Sequence, residues 1–367
     1  MPSRTHLTEK VLHDMYIKLK QKVSSDFQRS SSYSMTTDTW TSVSCENYMT
    51  ITIHLLIDWE IKSYVLSTCC SNEPHTSTNL KEQFDTVFAS WNLKTNGTTP
   101  VMVTTDNAAN IKSAISSSKY DLRQIGCFAH TINLAVQKAN KTRTAEHIIA
   151  QVKQIVKYFH RSPTAKGVLT SKQQLLQKKP HCLIIDASTR WNSTLAMLVR
   201  FEEQRSAVYA ALDELKKNDL LLTLSRVNAA DVEHMISFLQ PFKMVTDVIS
   251  GENYCTVSLI KPLITTLMEQ SQPSDDDPKI LKEMKVAVVL DLKDRYGDCS
   301  PSPLADHLYK CSLIDPRFKR ISGLSDIKID LLYDGICADI VAIGEAVSAS
   351  SSAIDAVATA SSEESTS

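Results

Sequence analysis

No run of about eighteen apolar residues occurs in the 367-residue chain, so no membrane-spanning helix is expected. The opening, Met1-Pro-Ser-Arg-Thr-His6, is polar and basic without an apolar stretch, which argues against a secretory signal. Net charge is nearly absent: 40 Lys and Arg stand against 41 Asp and Glu, so the global balance points to no partner. The nine cysteines lack regular spacing, which excludes a disulfide framework and suits a reducing compartment. No internal repeat is visible. What is present is a 43% apolar chain, long enough for two domains or for one domain with a large insertion.

Apolar residues recur at helical spacing over 7–27, and a serine-rich connector follows. A Thr-rich strand is expected over 33–40. Strict alternation of Met49, Ile51, Ile53, Leu55 and Ile57 with Tyr48, Thr50, Thr52 and His54 predicts a half-buried strand over 48–57. A turn at Asp58-Trp59-Glu60 leads into a third strand over 62–69, making a hairpin. A helix over 78–91, a strand over 100–105, a helix through Ile111 and Ile115, a short strand at 125–127 and a long helix from Phe128 complete the block. Three meandering strands followed by helix, strand, helix, strand, helix is the order of a ribonuclease-H-like α/β core with a mixed sheet.

The expected domains are an amino-terminal helix and connector (1–30), the core (31–144), a helical insertion (145–326), a final helix (327–348) and a disordered Ser/Ala/Thr-rich tail (349–367). Helices within the insertion are expected at 148–159, 194–215, 229–249, 256–270 and 280–296.

Charge is placed unevenly. Between Lys138 and Lys179 ten basic residues, Lys153, Lys157 and Arg161 among them, face one acid, Glu146. Such a stripe suits a phosphate backbone; a solvated helix face is the alternative.

Two carboxylates stand out, Asp38 in Thr36-Thr-Asp-Thr-Trp40 and Asp106 in Thr104-Thr-Asp-Asn-Ala-Ala-Asn110. If each ends a strand and the strands are neighbours, the acids lie side by side and need a cation between them. Hard oxygen ligands suit Mg2+ or Mn2+. The alternative is that Asp38 starts a turn and Asp106 caps a helix. Cys127 and His130 form a Cys-x-x-His, but no second ligand pair lies nearby, so no zinc site is expected. His130 is instead expected to point from a first helical turn toward the acids, or to be a satisfied core histidine. Arg190-Trp191 precedes a helix; exposed, the pair would grip a phosphate and stack a base, and buried, the Trp would anchor the insertion. Asp315-Pro316-Arg317-Phe318-Lys319 reads as a structural turn.

Together these stretches, with Cys127-Phe-Ala-His-Thr-Ile-Asn-Leu134, Ser188-Thr-Arg-Trp-Asn-Ser193 and Leu313-Ile-Asp-Pro-Arg-Phe-Lys319, resemble the transposases of the hAT superfamily in their zinc finger BED domain-containing form. The resemblance covers residues 2 to about 330 in the family's order. It implies that Asp38 and Asp106 are two metal-binding acids and that Cys127 and His130 lie near the active site. It implies that Arg190 and Trp191 engage DNA at the cleavage end, and that an all-helical insertion interrupts the core. The family's third acid, in a Ser-Glu-Arg type motif, has no match: Ser362-Glu363-Glu364 lacks the following Arg. The BED finger and the dimerisation segment also have no match, which reads as a truncated chain.

Two acids of three imply that catalysis is lost. The expected function is that of a domesticated nuclear protein that binds DNA, with a role in transcription regulation, and with protein partners open. An active metal-dependent nuclease, drawing a third acid such as Glu345 from late in the chain, is the alternative. A scaffold without nucleic acid is a further one.

Overall fold

A computed structural model of the chain describes residues 3–363, except 31, 72, 94–99, 188, 252–253, 297–302 and 322, with side chains as far as 345 apart from that of 303. Ser188 of the Arg-Trp motif therefore lies outside the described residues. The backbone divides into two compact units. One comprises Met1–Cys127, Glu252–Cys255 and Leu324–Ser367, and the other Phe128–Gly251 and Thr256–Gly323. The helix that starts at Phe128, expected within the core, groups with the helical residues.

In the first unit a π-helical turn, His6–Val11, runs into α1 (Leu12–Arg29). The expected helix is there, but within α1 only Val23 and Asp26 are buried, while Leu12, Met15, Tyr16 and Leu19 stay exposed. Then come β1 (Tyr33–Thr41), β2 (Asn47–Ile57), β3 (Glu60–Ser71), α2 (Ser77–Ser90), β4 (Val101–Thr105), α3 (Ala109–Ser116) and β5 (Leu122–Gly126). The sheet order is β3-β2-β1-β4-β5. β1, β2 and β3 pair antiparallel, whereas β1–β4 and β4–β5 are parallel. The β2–β3 turn places Asp58 and Trp59 at φ 53 and 66, the double positive φ of a two-residue hairpin.

Alternation decides the two faces. Met35, Met49, Ile51, Ile53, Leu55 and Val103 belong to a buried cluster with Leu80, Phe84 and Phe88 of α2 and Ile111 and Ile115 of α3. The opposite face carries Thr36, Asp38, Thr50, Thr52, His54 and Thr104, none of which is buried.

The second unit contains α4 (Phe128–Asn140), α5 (Arg143–Arg161), α6 (Pro163–Leu175), α7 (Trp191–Glu214), α8 (Asn218–Arg226), α9 (Ala229–Ile249), α10 (Ile260–Gln270), α11 (Lys279–Tyr296) and α12 (Pro303–Ile314). Ile132, Val152, Phe201, Val208, Met235, Leu239 and Met284 share one core. The buried Asp291 of α11 accepts from Arg295 at 2.8 Å and pairs with Lys138 of α4. Burial pushes this carboxyl up, but hydrogen bonds from Arg295 and Lys138, and their charges, outweigh burial and hold it below its usual range. The Asp315 turn is structural as expected. Asp315 accepts from both Arg317 and Ser258, and the Arg317 hydrogen bond is the main cause holding its carboxyl well below the ordinary range.

α13 (Asp326–Glu363) follows in the first unit. It continues through most of the segment expected to be a disordered tail. The segment is low in complexity, but it is rich in alanine, the strongest helix former. Residues 364–367 lie outside the described residues.

Candidate functional site

The register of β1 against β4 sets the site. Met35 pairs with Val103 and Thr36 with Thr104. Both pairs are offset by 68 residues, the same separation as Asp38 and Asp106. Continued by two residues, this register puts both acids in one row. Thr37 and Thr105, one position back on each strand, are buried, so both acids lie on the opposite, open face. Asp38 does not end its strand, contrary to expectation: β1 continues to Thr41 against β2, with Asp38 opposite Thr50. Only the β4 side stops there.

Asp106 is held by its loop. Its Oδ1 accepts from the Ala108 N–H at 3.2 Å, just ahead of α3. That bond closes a turn ahead of α3 but does not cap it: the N-cap is Ala108, without a side-chain hydrogen bond, so Asp106 is not the helix cap. Asn110 donates to the His75 carbonyl at 2.7 Å, tying this loop to the one preceding α2. Gly126, at the end of β5, makes room for the loop: a Cβ there would lie 2.3 Å from the Asn107 side-chain oxygen. Gly126→Ala is therefore expected to push Asn107 aside and cost about 1–3 kcal/mol. Urea unfolding measures the loss, and amide exchange at Ala108 should quicken with it.

The open face is polar beyond the acids. Thr50 and Thr68 share a hydrogen bond of 3.0 Å in the Asp38 row. His54 bridges Thr36 (3.1 Å) and Ser63 (2.8 Å), and burial pushes its imidazole down, favouring the neutral form. Two positions beyond Asp38, Trp40 stacks on Tyr48 with ring centroids 5.4 Å apart and planes 10° apart. Trp40 remains 42% exposed. Tyr48 donates to Glu46 at 3.0 Å, and that bond, with Cys70 beside it, pushes the phenol up to about 12. In the sequence Trp40 stands only as the end of the Thr36–Trp40 motif. Its place opposite Tyr48 in the strand pairing is the signal that marks it out.

The two aspartates offer hard oxygen ligands of the kind that fit Mg2+ or Mn2+, with water completing the shell. Among the described residues no group of three or more His, Cys, Asp or Glu side chains could hold a metal ion.

His130 belongs to the helical unit, in the first turn of α4. The same face of α4 carries Asn133 and Gln137. Asn133 accepts from the Trp191 N–H at 3.1 Å, and Gln137 donates to the Thr189 carbonyl at 3.2 Å. These bonds fix the Arg190–Trp191 turn to the helix that bears His130. Arg190 is exposed at the start of α7. Trp191 is not: it is 3% exposed and sits in the helical core. The ring is an anchor in this structure, and the expectation that it stacks a base is corrected, because a buried ring has no open face.

The basic stripe is also thinner than its sequence. Lys153 is paired with Asp186 at 2.6 Å. Burial pushes the Asp186 carboxyl up, but bonds from Lys153, Ser193 and Thr194 outweigh it and hold it low. Lys138 is committed to Asp291 and Lys172 to Glu214. Lys157 and Arg161 lie one and two helical turns beyond Lys153 on α5 and have no ion pair among the described residues. Lys153 is thus corrected from a phosphate contact to a structural cation. Among the described residues no helix is long and apolar enough to cross a membrane.

Comparison with known proteins agrees with this fold. The family profile described as the ZBED1 RNase-like domain matches residues 36–134, and that of the ZBED1 RNase-like helical domain matches 125–238. Human zinc finger BED domain-containing protein 4 is 24% identical over 87% of this chain and 27% of its own length. The putative AC transposase of Zea mays is 25% identical over 87% of this chain and 41% of its own. A putative transcriptional regulator of Talaromyces stipitatus, tpeD, is 24% identical over 74% and 35%. The chain thus spans between about a quarter and two-fifths of the length of these relatives. Two adjoining domains of one family, in order, on a mixed ribonuclease-H-like sheet followed by a helical domain, show that the chain belongs to the BED-type proteins derived from hAT transposases.

Proposed function

We propose that this chain binds DNA in the nucleus as a domesticated transposase-derived protein, in a role in transcription regulation, and does not cut it. The observation that carries the reading is the open sheet face, where an acid pair and a stacked aromatic pair with an exposed Trp40 occupy successive rows. Asp38 and Asp106 would hold one divalent ion, which when bound supplies electrostatic attraction for a phosphate. In-line transfer with two ions needs further ligands to fix the second, and the acid row offers two carboxylates. Trp40 with Tyr48 would receive a base by stacking, which every base permits. On the helical unit Lys157, Arg161 and Arg190 would contact phosphates, which position DNA without reading its sequence. The naming of one relative as a transcriptional regulator supports the nuclear role.

The test is a salt titration of duplex binding. The Lys157→Gln, Arg161→Gln double variant is expected to lower the slope of log K against log salt by about 2, since each lost phosphate contact removes about 0.9. Lys153→Gln is expected to leave the slope unchanged and to lower stability. An unchanged slope in the double variant removes α5 from the interface. A parallel Mg2+ nicking assay separates binding from cutting: cleavage by the wild type that is abolished in Asp106→Asn would make the protein an active nuclease.

A further inference from the structure

Apart from the acid face and the α5 cations, the helical unit has a cleft of about 840 Å³ lined by α7, the end of α8 and the start of α9. Sites for small molecules and cofactors run from about 300 to about 1,000 Å³. Its charges do not cancel. Glu202 is the one acid among the lining residues, and it is spent on Arg205, whose Nε donates to both carboxylate oxygens at 2.9 and 2.8 Å. Arg205 also donates to the Val227 carbonyl at 2.8 Å, which straps the α8–α9 turn, and with it Arg226, to α7. Lys178 donates to the Glu203 backbone carbonyl, a neutral partner that leaves its charge uncompensated. Arg226 is exposed and has no ion pair or hydrogen bond among the described residues. Lys178 and Arg226 both line the cleft, so it carries two unbalanced positive charges. Glu203 and Arg205, the points on α7 to which these two cations are tied, lie within one helical turn of each other. Tyr209, one turn beyond Arg205, also lines the cleft. It is 58% exposed, and its ring and hydroxyl have no partner among the described residues.

An open aromatic ring beside two unbalanced cations suits a ligand with a flat π-face at one end and a multiply charged anion at the other. Glu203, where Lys178 is tied, and Tyr209 are separated by about 9 Å along the helix. That is the scale of the reach from a base across its sugar to a phosphate chain. We infer that the cleft is a binding site for a free nucleoside diphosphate. The base stacks on Tyr209, and the two phosphates are held by Lys178 and Arg226. A nucleic-acid strand carries one phosphate per base, whereas here two cations serve a single ring, which matches a diphosphate. Every base has a face to stack, so the site discriminates by the number of phosphates more than by the base.

Titration of the full chain with ADP, followed by calorimetry and by ligand-observed NMR, tests this. Saturable binding is expected, with AMP, adenosine and pyrophosphate each binding more weakly, because each lacks part of the pairing. Arg226→Gln changes an exposed, unpaired side chain, so it should fold as wild type and weaken ADP by about tenfold or more, as loss of a charged hydrogen bond requires. Tyr209→Ala should weaken ADP by about five- to 150-fold, and Tyr209→Phe, which keeps the ring, should bind as wild type. The Lys157→Gln, Arg161→Gln double variant should also bind ADP as wild type, so this site and the duplex interface fail separately. ADP that does not saturate overturns the site. ADP that binds Arg226→Gln or Tyr209→Ala as tightly as wild type overturns the assigned contacts. Binding of a 5′-phosphorylated oligothymidylate that is lost in Arg226→Gln, without saturation by ADP, would give the cleft to a nucleic-acid strand instead.

Discussion

Replacing Arg295 with methionine lowers the stability of the protein by about 3–5 kcal/mol near neutral pH, the usual cost of stripping a partner from a buried ion pair. The Asp291 side chain is 0% exposed, whereas its partners Lys138 and Arg295 are 56% and 26% exposed. Removing Arg295 leaves a buried charge with one, mostly exposed, partner. Removing Asp291 instead leaves two cations that can turn to water, so Asp291→Asn should cost less. The pH dependence separates this account from simple loss of packing. In the folded wild type the Asp291 carboxyl is held below its ordinary value. Its contribution is present above the unfolded carboxylate pKa of about 3.9 and is lost as pH falls through the folded value. In Arg295→Met the push of burial prevails, and protonation becomes favourable. The gap between wild type and variant should therefore narrow between about pH 7 and about pH 4. A gap that stays constant in urea unfolding across that range would assign the loss to packing of the arginine stem.

The parts of this molecule that could be read from sequence are those carried by local pattern. Met49 to Ile57 alternate without a break, and β2 forms with the expected face buried. Asp58 and Trp59 make the expected hairpin turn. The 68-residue spacing of Asp38 and Asp106 became informative because it equals the β1–β4 register. What escaped reading depends on partners distant in sequence or on weak contrast. Lys153 looks like any cation of a basic stripe until Asp186, 33 residues on, returns beside it. Trp191 at a helix start reads the same whether its ring faces solvent or Leu195 and Leu198 in the core. The helices α6, α8 and α12 are not marked by a clear apolar period in the sequence, and α6 mixes Gly167 with Ser, Thr and Gln. At the other extreme, the amino-terminal helix was read correctly from its apolar spacing, yet most of that stripe is exposed, so periodicity located the helix without showing what it packs against.

Exchanging the two tryptophans for alanine, one at a time, should divide stability from binding. Trp191→Ala empties a core position that is 3% exposed, and the expected loss is about 3–5 kcal/mol in unfolding free energy. Trp40→Ala acts at a strand surface. It removes the contact with Tyr48, worth about 0.5–1.5 kcal/mol, and little buried area. Its larger effect falls on single-stranded DNA: loss of one stacked base costs about 1–3 kcal/mol, roughly five- to 150-fold in Kd. The salt slope distinguishes this loss from a charge effect. Trp40 carries no charge and releases no counterions, so affinity falls at every ionic strength while the slope stays that of the wild type. Fluorescence anisotropy with a short oligothymidylate at several salt concentrations, alongside urea unfolding of both variants, measures both quantities. A fall in affinity on Trp191→Ala with stability unchanged would place the stacking ring on α7 and return Trp40 to a structural role.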